Sequence, residues 1–255
     1  MIEFLNSIIL GNCLDVMTQI PNKSVNMILC DLPYGTTECS WDTIIPFVPL
    51  WAQYERIITD DGAIVLTASQ PFTSALIMSN IKMFKYCWVW RKSCGAGFLN
   101  AKNAPIKMHE DICVFSKGAT ANGSKRNMAY YPQDLTPVER YRNRTGEHSN
   151  AVGTRPSRQK GYTQKFTGYP VSILYYPNDR NMMHDTTKPV ALFEYLIKTY
   201  TNEGDTVLDN CIGSGTTALA CINTGRKFIG IDILQEWVDA SKARINELEI
   251  SNMLG

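Results

Sequence analysis

The sequence predicts a doubly wound α/β fold built on a mostly parallel sheet. Short apolar segments bounded by turn residues are typical of strands that are covered on both faces. They alternate with helical segments, which is the pattern of βαβ units. The chain has 255 residues, 44% of them hydrophobic, and a net charge of +1. It is therefore long enough to bury a core without covalent cross-links and too weakly charged for disorder.

The predicted elements follow one another along the chain. Strands are expected at residues 25–30, 63–67, 86–90, 112–115, 206–209 and 228–231. Helices are expected at 72–81 and 190–199, each directly after a proline, at 216–223 after a glycine turn, and at 235–248. The alternation lapses between about 117 and 185. We therefore expect a core made of residues 1–116 and 186–255, with an inserted segment at 117–185.

Composition excludes several classes of protein. No apolar segment approaches the ~20 residues of a membrane-spanning helix, and the first residues lack the basic segment and cleavage pattern of a secretory signal. The eight cysteines contain no C-x-x-C pair, and the three histidines form no H-x-x-x-H pair. Neither a disulfide framework nor a structural zinc site is expected. The sequence is interpreted as that of a cytoplasmic protein.

The charge is distributed unevenly. Residues 82–188 contain 18 Lys+Arg and 7 Asp+Glu, a net +11, which leaves 7 Lys+Arg and 17 acids, a net −10, elsewhere. Such a basic segment suggests a phosphate backbone as partner, although a solvated, loop-rich surface is the alternative. Arginines interleaved with tyrosines can grip phosphates, read guanine edges and stack on bases. The candidate contacts are Arg140, Arg142, Arg144, Arg155, Arg158 and Lys160.

A glycine turn at residues 206–218 predicts a ligand site. Gly213 and Gly215 permit positive φ and close approach of a ligand to a helix N-terminus. Asp232 ends the next strand nineteen residues after Gly213, where an acid can accept hydrogen bonds from ribose hydroxyls. Dinucleotide binding and a tight turn without a ligand are the alternatives. Asp209, just ahead of the glycines, would repel a pyrophosphate and suits the ammonium and sulfonium of S-adenosylmethionine.

A second candidate site lies at the end of the strand at 25–30. There Asp31, Leu32, Pro33 and Tyr34 follow one another at a sheet edge where α/β proteins bind ligands. An amine that is to be methylated needs acceptors for its hydrogens, and its ring needs a stacking surface. Asp31 and the Leu32 carbonyl can supply the acceptors, and Tyr34 the surface. The alternative is a turn with a packed tyrosine.

These two motifs resemble those of the amino-methylating DNA methyltransferases of the N6-adenine/N4-cytosine type. Residues 31–34 are similar to the family's catalytic motif D/N/S-P-P-Y/F, and residues 209–217 to its cofactor motif D-P-F-x-G-S-G-T-T. The order, with the catalytic motif first, resembles the permuted beta class. Residues 11–15, 109–115 and 184–189 are similar to its G-D-x-L-x, H-E-x-x-x-x-F and H-P-T-Q-K-P segments. The departures are Leu32 for Pro, and 210–212 for Pro-Phe-x, which removes the Phe at Cys211 that would stack on the cofactor.

The resemblance implies an S-adenosylmethionine-dependent methyltransferase fold in which residues 117–185 are a basic target-recognition insert. It implies direct methyl transfer from S-adenosylmethionine to the N6 amine of a flipped adenine in double-stranded DNA. Asp31 favours adenine, and cytosine N4 is the alternative. The implied catalytic residues are Asp31, Leu32, Pro33 and Tyr34. The implied cofactor-binding residues are Asp15, Lys188, Asp209, Gly213, Gly215, Thr216, Thr217 and Asp232, with Lys188, Thr216 and Thr217 as candidates for the cofactor's carboxylate.

Several alternatives stay open at the level of sequence. Asp15 is equally well explained as a surface or capping acid, and Trp41 either closes over the site or packs in the core. His109 and His184 belong to matched segments without an assigned role. A NAD-dependent oxidoreductase would explain the glycine turn alone, and a catalytically silent DNA-binding subunit would explain the basic insert. The resemblance also implies a bacterial or phage restriction-modification setting and a possible homodimer.

Overall fold

An eight-stranded sheet with helices on both faces organises the chain, for which this computed structural model describes residues 4–36, 42–142, 161–178 and 187–254. The sheet contains β1 (Ser7–Leu10), β2 (Val25–Asp31), β3 (Ile58–Ala68), β4 (Phe84–Ala96), β5 (Lys107–Phe115), β8 (Ile173–Tyr175), β9 (Thr206–Asp209) and β10 (Lys227–Asp232). The helices are α1 (Cys13–Met17), α2 (Phe47–Ile57), α3 (Phe72–Ser79), α4 (Val190–Tyr200), α5 (Thr216–Asn223) and α6 (Gln235–Leu254). A separate two-stranded sheet pairs β6 (Thr136–Arg142) with β7 (Tyr162–Thr167).

The strand order in the large sheet is β1-β10-β9-β2-β3-β5-β4-β8. Neighbouring strands run parallel except at β5, which is antiparallel to both β3 and β4. All other strands therefore end at one edge, which we call the carboxyl edge. The prediction of a doubly wound, mostly parallel sheet is confirmed.

Alternating side chains bury both faces of the sheet. In β2, Met27 and Leu29 join the core cluster that contains residues of α4, α5 and α6. Their neighbours Ile28 and Cys30 join the opposite cluster, which contains residues of α1, α2 and α3. Because side chains point to opposite faces with a period of two, a strand covered on both faces must be apolar throughout. This is why the central strands were visible in the sequence.

The six predicted strands and four predicted helices are all present, with the strand at 206–209 and the helix at 216–223 matching to the residue. Sequence pattern did not predict β1, α1 and α2, nor the strands β6, β7 and β8 in the segment where the alternation lapses. The first two span only 4 and 5 residues, too few to establish a period. In α2, Pro49 lies in the first turn, where a missing N–H costs little, but its presence obscures the helical pattern.

The chain divides into two compact units, Met1–Tyr131 with Ser172–Gly255, and Pro132–Val171. The first unit holds the large sheet and the helices, and the second holds β6 and β7. The first unit includes part of the predicted insert, because the Tyr131 amide donates to the Thr199 carbonyl at 2.7 Å and β8 pairs with β4. The use of residues 117–185 for target recognition stays a prediction. Among the described residues, no helix has the length and apolar character needed to cross a membrane.

Candidate active site at the carboxyl edge

Three neighbouring strands each end in an aspartate at the carboxyl edge. Asp232 ends β10, Asp209 ends β9 and Asp31 ends β2, and these strands lie side by side in the sheet. Sequence places these acids far apart, but parallel strands bring their carboxyl ends to one edge. The predicted catalytic and cofactor motifs therefore occupy adjacent positions.

Asp31 is surrounded by hydrogen-bond donors. The Tyr34 hydroxyl donates to Asp31 Oδ1 at 2.6 Å, the Thr67 hydroxyl donates to the same oxygen, and Lys188 Nζ donates to Oδ2 at 2.5 Å. Burial alone would raise the pKa of Asp31, but the Lys188 charge and the three hydrogen bonds hold the pKa below its ordinary value. Asp31 is therefore an ionised acceptor at neutral pH.

A chain of alternating charges leads from Asp31 along the carboxyl edge toward β5 and β4. Lys188 Nζ also lies 3.4 Å from Glu110 Oε2, and Glu110 Oε1 pairs with Lys92. The Lys188 side chain is 8% exposed. Burial lowers its pKa, but Asp31 and Glu110 outweigh that effect and the pKa is raised. We call Lys92, Glu110, Lys188 and Asp31 the charge chain.

The charge chain was not predicted. Lys188 was predicted as one candidate for the cofactor's carboxylate, whereas in the structure its ammonium contacts Asp31 and Glu110. Glu110 was noted only as part of a matched segment. The contact depends on residues 31, 110 and 188, which only the fold brings together. The match of residues 109–115 to a family segment was therefore the one signal in the sequence that pointed to Glu110.

Packing and hydrogen bonds fix the loop at residues 31–36, which carries the predicted catalytic residues. The Tyr34 ring stacks on Phe72, with centroids 5.1 Å apart and planes at 28°. Asp42 accepts the amide N–H groups of Gly35 and Thr36, each at 2.8 Å, a role that sequence reasoning missed. The Leu32 side chain is 3% exposed and belongs to the core. Core packing thus restrains the loop at Leu32, where the family's first proline is replaced, beside the half-buried Pro33.

The two other aspartates brace the glycine turn. Asp209 accepts a hydrogen bond from the Thr217 hydroxyl at 2.5 Å and from the Cys211 amide at 3.1 Å. Burial raises the pKa of Asp209 to about 6. Asp232 accepts the Gly213 amide at 2.9 Å and the Leu234 amide at 3.0 Å. Burial likewise raises the pKa of Asp232.

The remaining predicted cofactor residues lie at the same edge. The Thr216 hydroxyl lies 3.4 Å from the Lys188 carbonyl, which links the glycine turn to the segment that carries Lys188. Asp15 is exposed in the first turn of α1, where an acid also favours the helix dipole. The Gly11 amide donates to the Asp232 carbonyl at 2.8 Å, so α1 begins beside the end of β10.

The predicted DNA-contacting residues are only partly described. Arg140 and Arg142 are exposed on β6 of the second unit, and Arg142 Nε donates to Gln164 Oε1 at 3.2 Å. Arg144, Arg155, Arg158 and Lys160 lie outside the described residues, as do Trp41 and His184. His109 is exposed on β5 opposite Arg91.

Gly215 offers a test of the glycine turn. Its φ is +85°, and a Cβ there would lie 2.9 Å from Ser241 Cβ and 3.2 Å from Ser241 Cα. We expect Gly215→Ala to lower both the free energy of unfolding and cofactor affinity, by more than the roughly 1–2 kcal/mol that left-handed backbone alone costs. The measurements are urea denaturation and isothermal titration with S-adenosylmethionine.

Gly204 provides the matched control. Its φ is +81°, and a Cβ there would meet no atom within 4 Å. Gly204→Ala carries the backbone strain without the clash, so it should destabilise the protein while leaving cofactor affinity unchanged. Equal effects of the two substitutions on both measurements would show that the close packing at Ser241 is unimportant.

A glycine turn and an acid-proline-tyrosine loop at one edge of a doubly wound sheet define an arrangement suited to methylating amines. Residues 25–243 match the model of the N6/N4 methyltransferase family, described as DNA methylase. The chain belongs to this family, and the resemblance seen in its motifs is confirmed. Membership also selects the methyltransferase interpretation of the glycine turn over dinucleotide binding.

Individual relatives agree with this assignment. The chain is 28% identical over 267 residues to the type II methyltransferase M1.MboII of Moraxella bovis, covering 97% of this chain and 99% of that protein. It is 30% identical over 261 residues to the DNA adenine methyltransferase YhdJ of Escherichia coli K12, covering 94% and 82%. The crystal structure of the M1.HpyAVI–SAM complex has a similar fold, with a TM-score of 0.59, 22% identity, and 93% and 98% coverage.

Proposed function

We propose that this DNA methylase transfers a methyl group from S-adenosylmethionine to the N6 amine of an adenine flipped out of double-stranded DNA. The observation that carries the proposal is the Asp31 carboxylate, which Lys188, Thr67 and Tyr34 hold ionised at the edge that also carries the glycine turn. An ionised acceptor suits an amine whose hydrogens must be held while its lone pair turns toward the methyl donor.

The polar groups at the carboxyl edge fit S-adenosylmethionine. The Asp232 carboxylate accepts the Gly213 and Leu234 amides and has further acceptor capacity for a ribose hydroxyl. Gly215 is the N-cap of α5 and makes no side-chain hydrogen bond to it. The first amides of the helix can therefore bind the carboxylate of the cofactor, and the Thr216 hydroxyl can donate to it as well. Asp209 supports the glycine turn by accepting hydrogen bonds from Thr217 and Cys211. The cofactor supplies a methyl group on a sulfonium, which is electrophilic without further activation.

The protein's own contribution is positioning and electrostatics. Asp31 and the Leu32 carbonyl would accept the amine hydrogens. Because Phe72 stacks on one face of Tyr34, a flipped base can stack only on the other face. Such stacking contributes about 1–3 kcal/mol and offsets part of the few kcal/mol that flipping costs.

Two features support adenine as the target. An aspartate at position 31 favours adenine in this family, and the relative YhdJ is named a DNA adenine methyltransferase. Cytosine N4 is the alternative, because the same family includes N4 enzymes and the chemistry is shared. Transfer of labelled methyl groups from S-adenosylmethionine to unmethylated genomic DNA, with nucleoside analysis, tests the choice.

Each outcome of that experiment has one interpretation. N6-methyladenine supports the proposal. N4-methylcytosine would retain the mechanism and the cofactor but overturn the choice of base made from Asp31. Cofactor binding without transfer would favour the catalytically silent DNA-binding subunit.

Arg140 and Arg142 test the proposed contact between the second unit and DNA. We expect the double substitution Arg140→Ala and Arg142→Ala to weaken duplex binding and to reduce the slope of log K against log salt by about 2, at ~0.9 per phosphate contact. Affinity for S-adenosylmethionine should not change. Lys82 and Lys227, exposed at the amino ends of β4 and β10, form the control pair. An unchanged salt slope would count against β6 as a DNA contact.

A further inference from the structure

The β4–β5 hairpin extends far beyond the catalytic loop. In the register of the sheet, Asp31 lies opposite Thr67, Thr67 opposite Ile112, and Ile112 opposite Trp88. These four residues therefore mark one level of the sheet. Pairing between β4 and β5 continues to Ala96 and Lys107. Five residues of β5 at ~3.3 Å per residue place the end of the pairing about 17 Å past that level, on the carboxyl edge.

The tip of this hairpin presents two apolar side chains to solvent. Phe98 is 78% exposed and Leu99 is 97% exposed. Both side chains belong to a 3₁₀ turn at Phe98–Asn100, which begins after Gly97 at φ +90°. Amide hydrogen bonds from Asn100 to the Gly97 carbonyl and from Ala101 to the Phe98 carbonyl, both at 3.0 Å, close the turn. The two side chains therefore protrude from an ordered turn.

The hairpin carries the charge that DNA requires. Residues 91–109 contain Arg91, Lys92, Lys102 and Lys107 and no aspartate or glutamate. The base of the hairpin is joined to the catalytic carboxylate, because Glu110 pairs with both Lys92 and Lys188, and Lys188 pairs with Asp31. A duplex bound at Asp31 would thus meet a basic hairpin with an apolar tip.

We propose that Phe98 and Leu99 form a wedge that enters the duplex beside the target base and replaces the stacking lost when that base flips. Apolar wedges between base steps are a general means of opening duplex DNA. This inference rests on the proposed function. A contact with a second copy is less favoured. An aromatic side chain buries roughly 150–250 Å², so Phe98 with one leucine beside it falls short of the ~800 Å² per partner typical of stable interfaces.

The test uses the double variant Phe98→Ala and Leu99→Ala on two duplexes that share a site methylated by the unsubstituted protein. In one duplex the target base is fully paired, and in the other it lies opposite an abasic position, so that flipping is easier. We expect kcat/KM to fall at least about tenfold on the paired duplex and less than about threefold on the other. Affinity for S-adenosylmethionine should not change. Phe98→Trp should keep the activity, and duplex addition should quench its indole emission.

Met78→Ala with Met253→Ala is the matched control, because both side chains are exposed, by 70% and 82%, at the ends of α3 and α6 and away from the hairpin. An equal loss on both duplexes, or no loss, would overturn the wedge. The wedge would also be overturned if the double variant changed from a dimer to a monomer while the ratio of its activities on the two duplexes stayed the same. That result would assign Phe98 and Leu99 to a contact between copies. If the unsubstituted protein methylates no DNA, the proposed function fails instead.

Discussion

Replacing Asp31 by alanine is expected to reduce methyl transfer by about 10³-fold, the scale reached when a preorganised electrostatic contact to the reacting group is removed. The substitution removes the acceptor to which Tyr34, Thr67 and Lys188 donate. The fold should persist, because Lys188 keeps Glu110 as its counter-charge. Single-turnover methylation and duplex binding are the two measurements, and duplex affinity should stay within about threefold, since phosphate contacts elsewhere dominate it.

Two further variants define what the carboxylate contributes. Asp31→Asn keeps one acceptor oxygen and loses the charge, so its rate should lie between those of the unsubstituted protein and Asp31→Ala. Asp239→Ala removes an exposed carboxylate from α6 and should leave the rate unchanged. Normal methylation by Asp31→Ala would show that the active site has been assigned to the wrong residues.

Glu110→Gln should lower the free energy of unfolding by about 3 kcal/mol, because it breaks a buried ion pair and leaves charge uncompensated. The Glu110 side chain is 11% exposed and lies between Lys92 and Lys188, whose side chains are 16% and 8% exposed. Without the Glu110 carboxylate, Lys92 loses this counter-charge, and Lys188 keeps only its pair with Asp31. Urea denaturation of the ligand-free protein measures the loss.

A second substitution separates charge balance from packing. Adding Lys92→Met to Glu110→Gln removes the surplus positive charge and should recover at least about 1 kcal/mol of the free energy of unfolding. The reason is that the effects of substitutions within one ion-pair network are not additive. Asp60→Asn is the control, because Asp60 pairs with Lys23 at 2.9 Å on the exposed surface, where solvent screens the pair. Strict additivity of Glu110→Gln and Lys92→Met would show that the charge chain does not act as a unit.

Short-range pattern was sufficient for the elements that carry the site. The strand at 206–209 and the helix at 216–223 match to the residue because a buried strand, a glycine turn and a helix start are all coded by neighbouring residues. By contrast, β4 and β5 extend well past the predicted 86–90 and 112–115. Their outer halves contain lysine, glycine and serine, and only pairing with each other makes those residues a strand.

The sequence by itself determined the doubly wound sheet, the family and the two motifs, because each is coded by residues close together in the chain. Only the tertiary structure decided that Lys92, Glu110, Lys188 and Asp31 form one charge chain and that Asp42 accepts the amides of the loop that follows β2. It also decided that Phe98 and Leu99 lie past the end of the β4–β5 pairing, an end that is about 17 Å beyond the level of Asp31 at ~3.3 Å per residue. The charge chain joins segments that are distant in sequence. It exists only once the sheet brings the ends of its strands to one edge, where charges that are unrelated along the chain come within hydrogen-bonding distance.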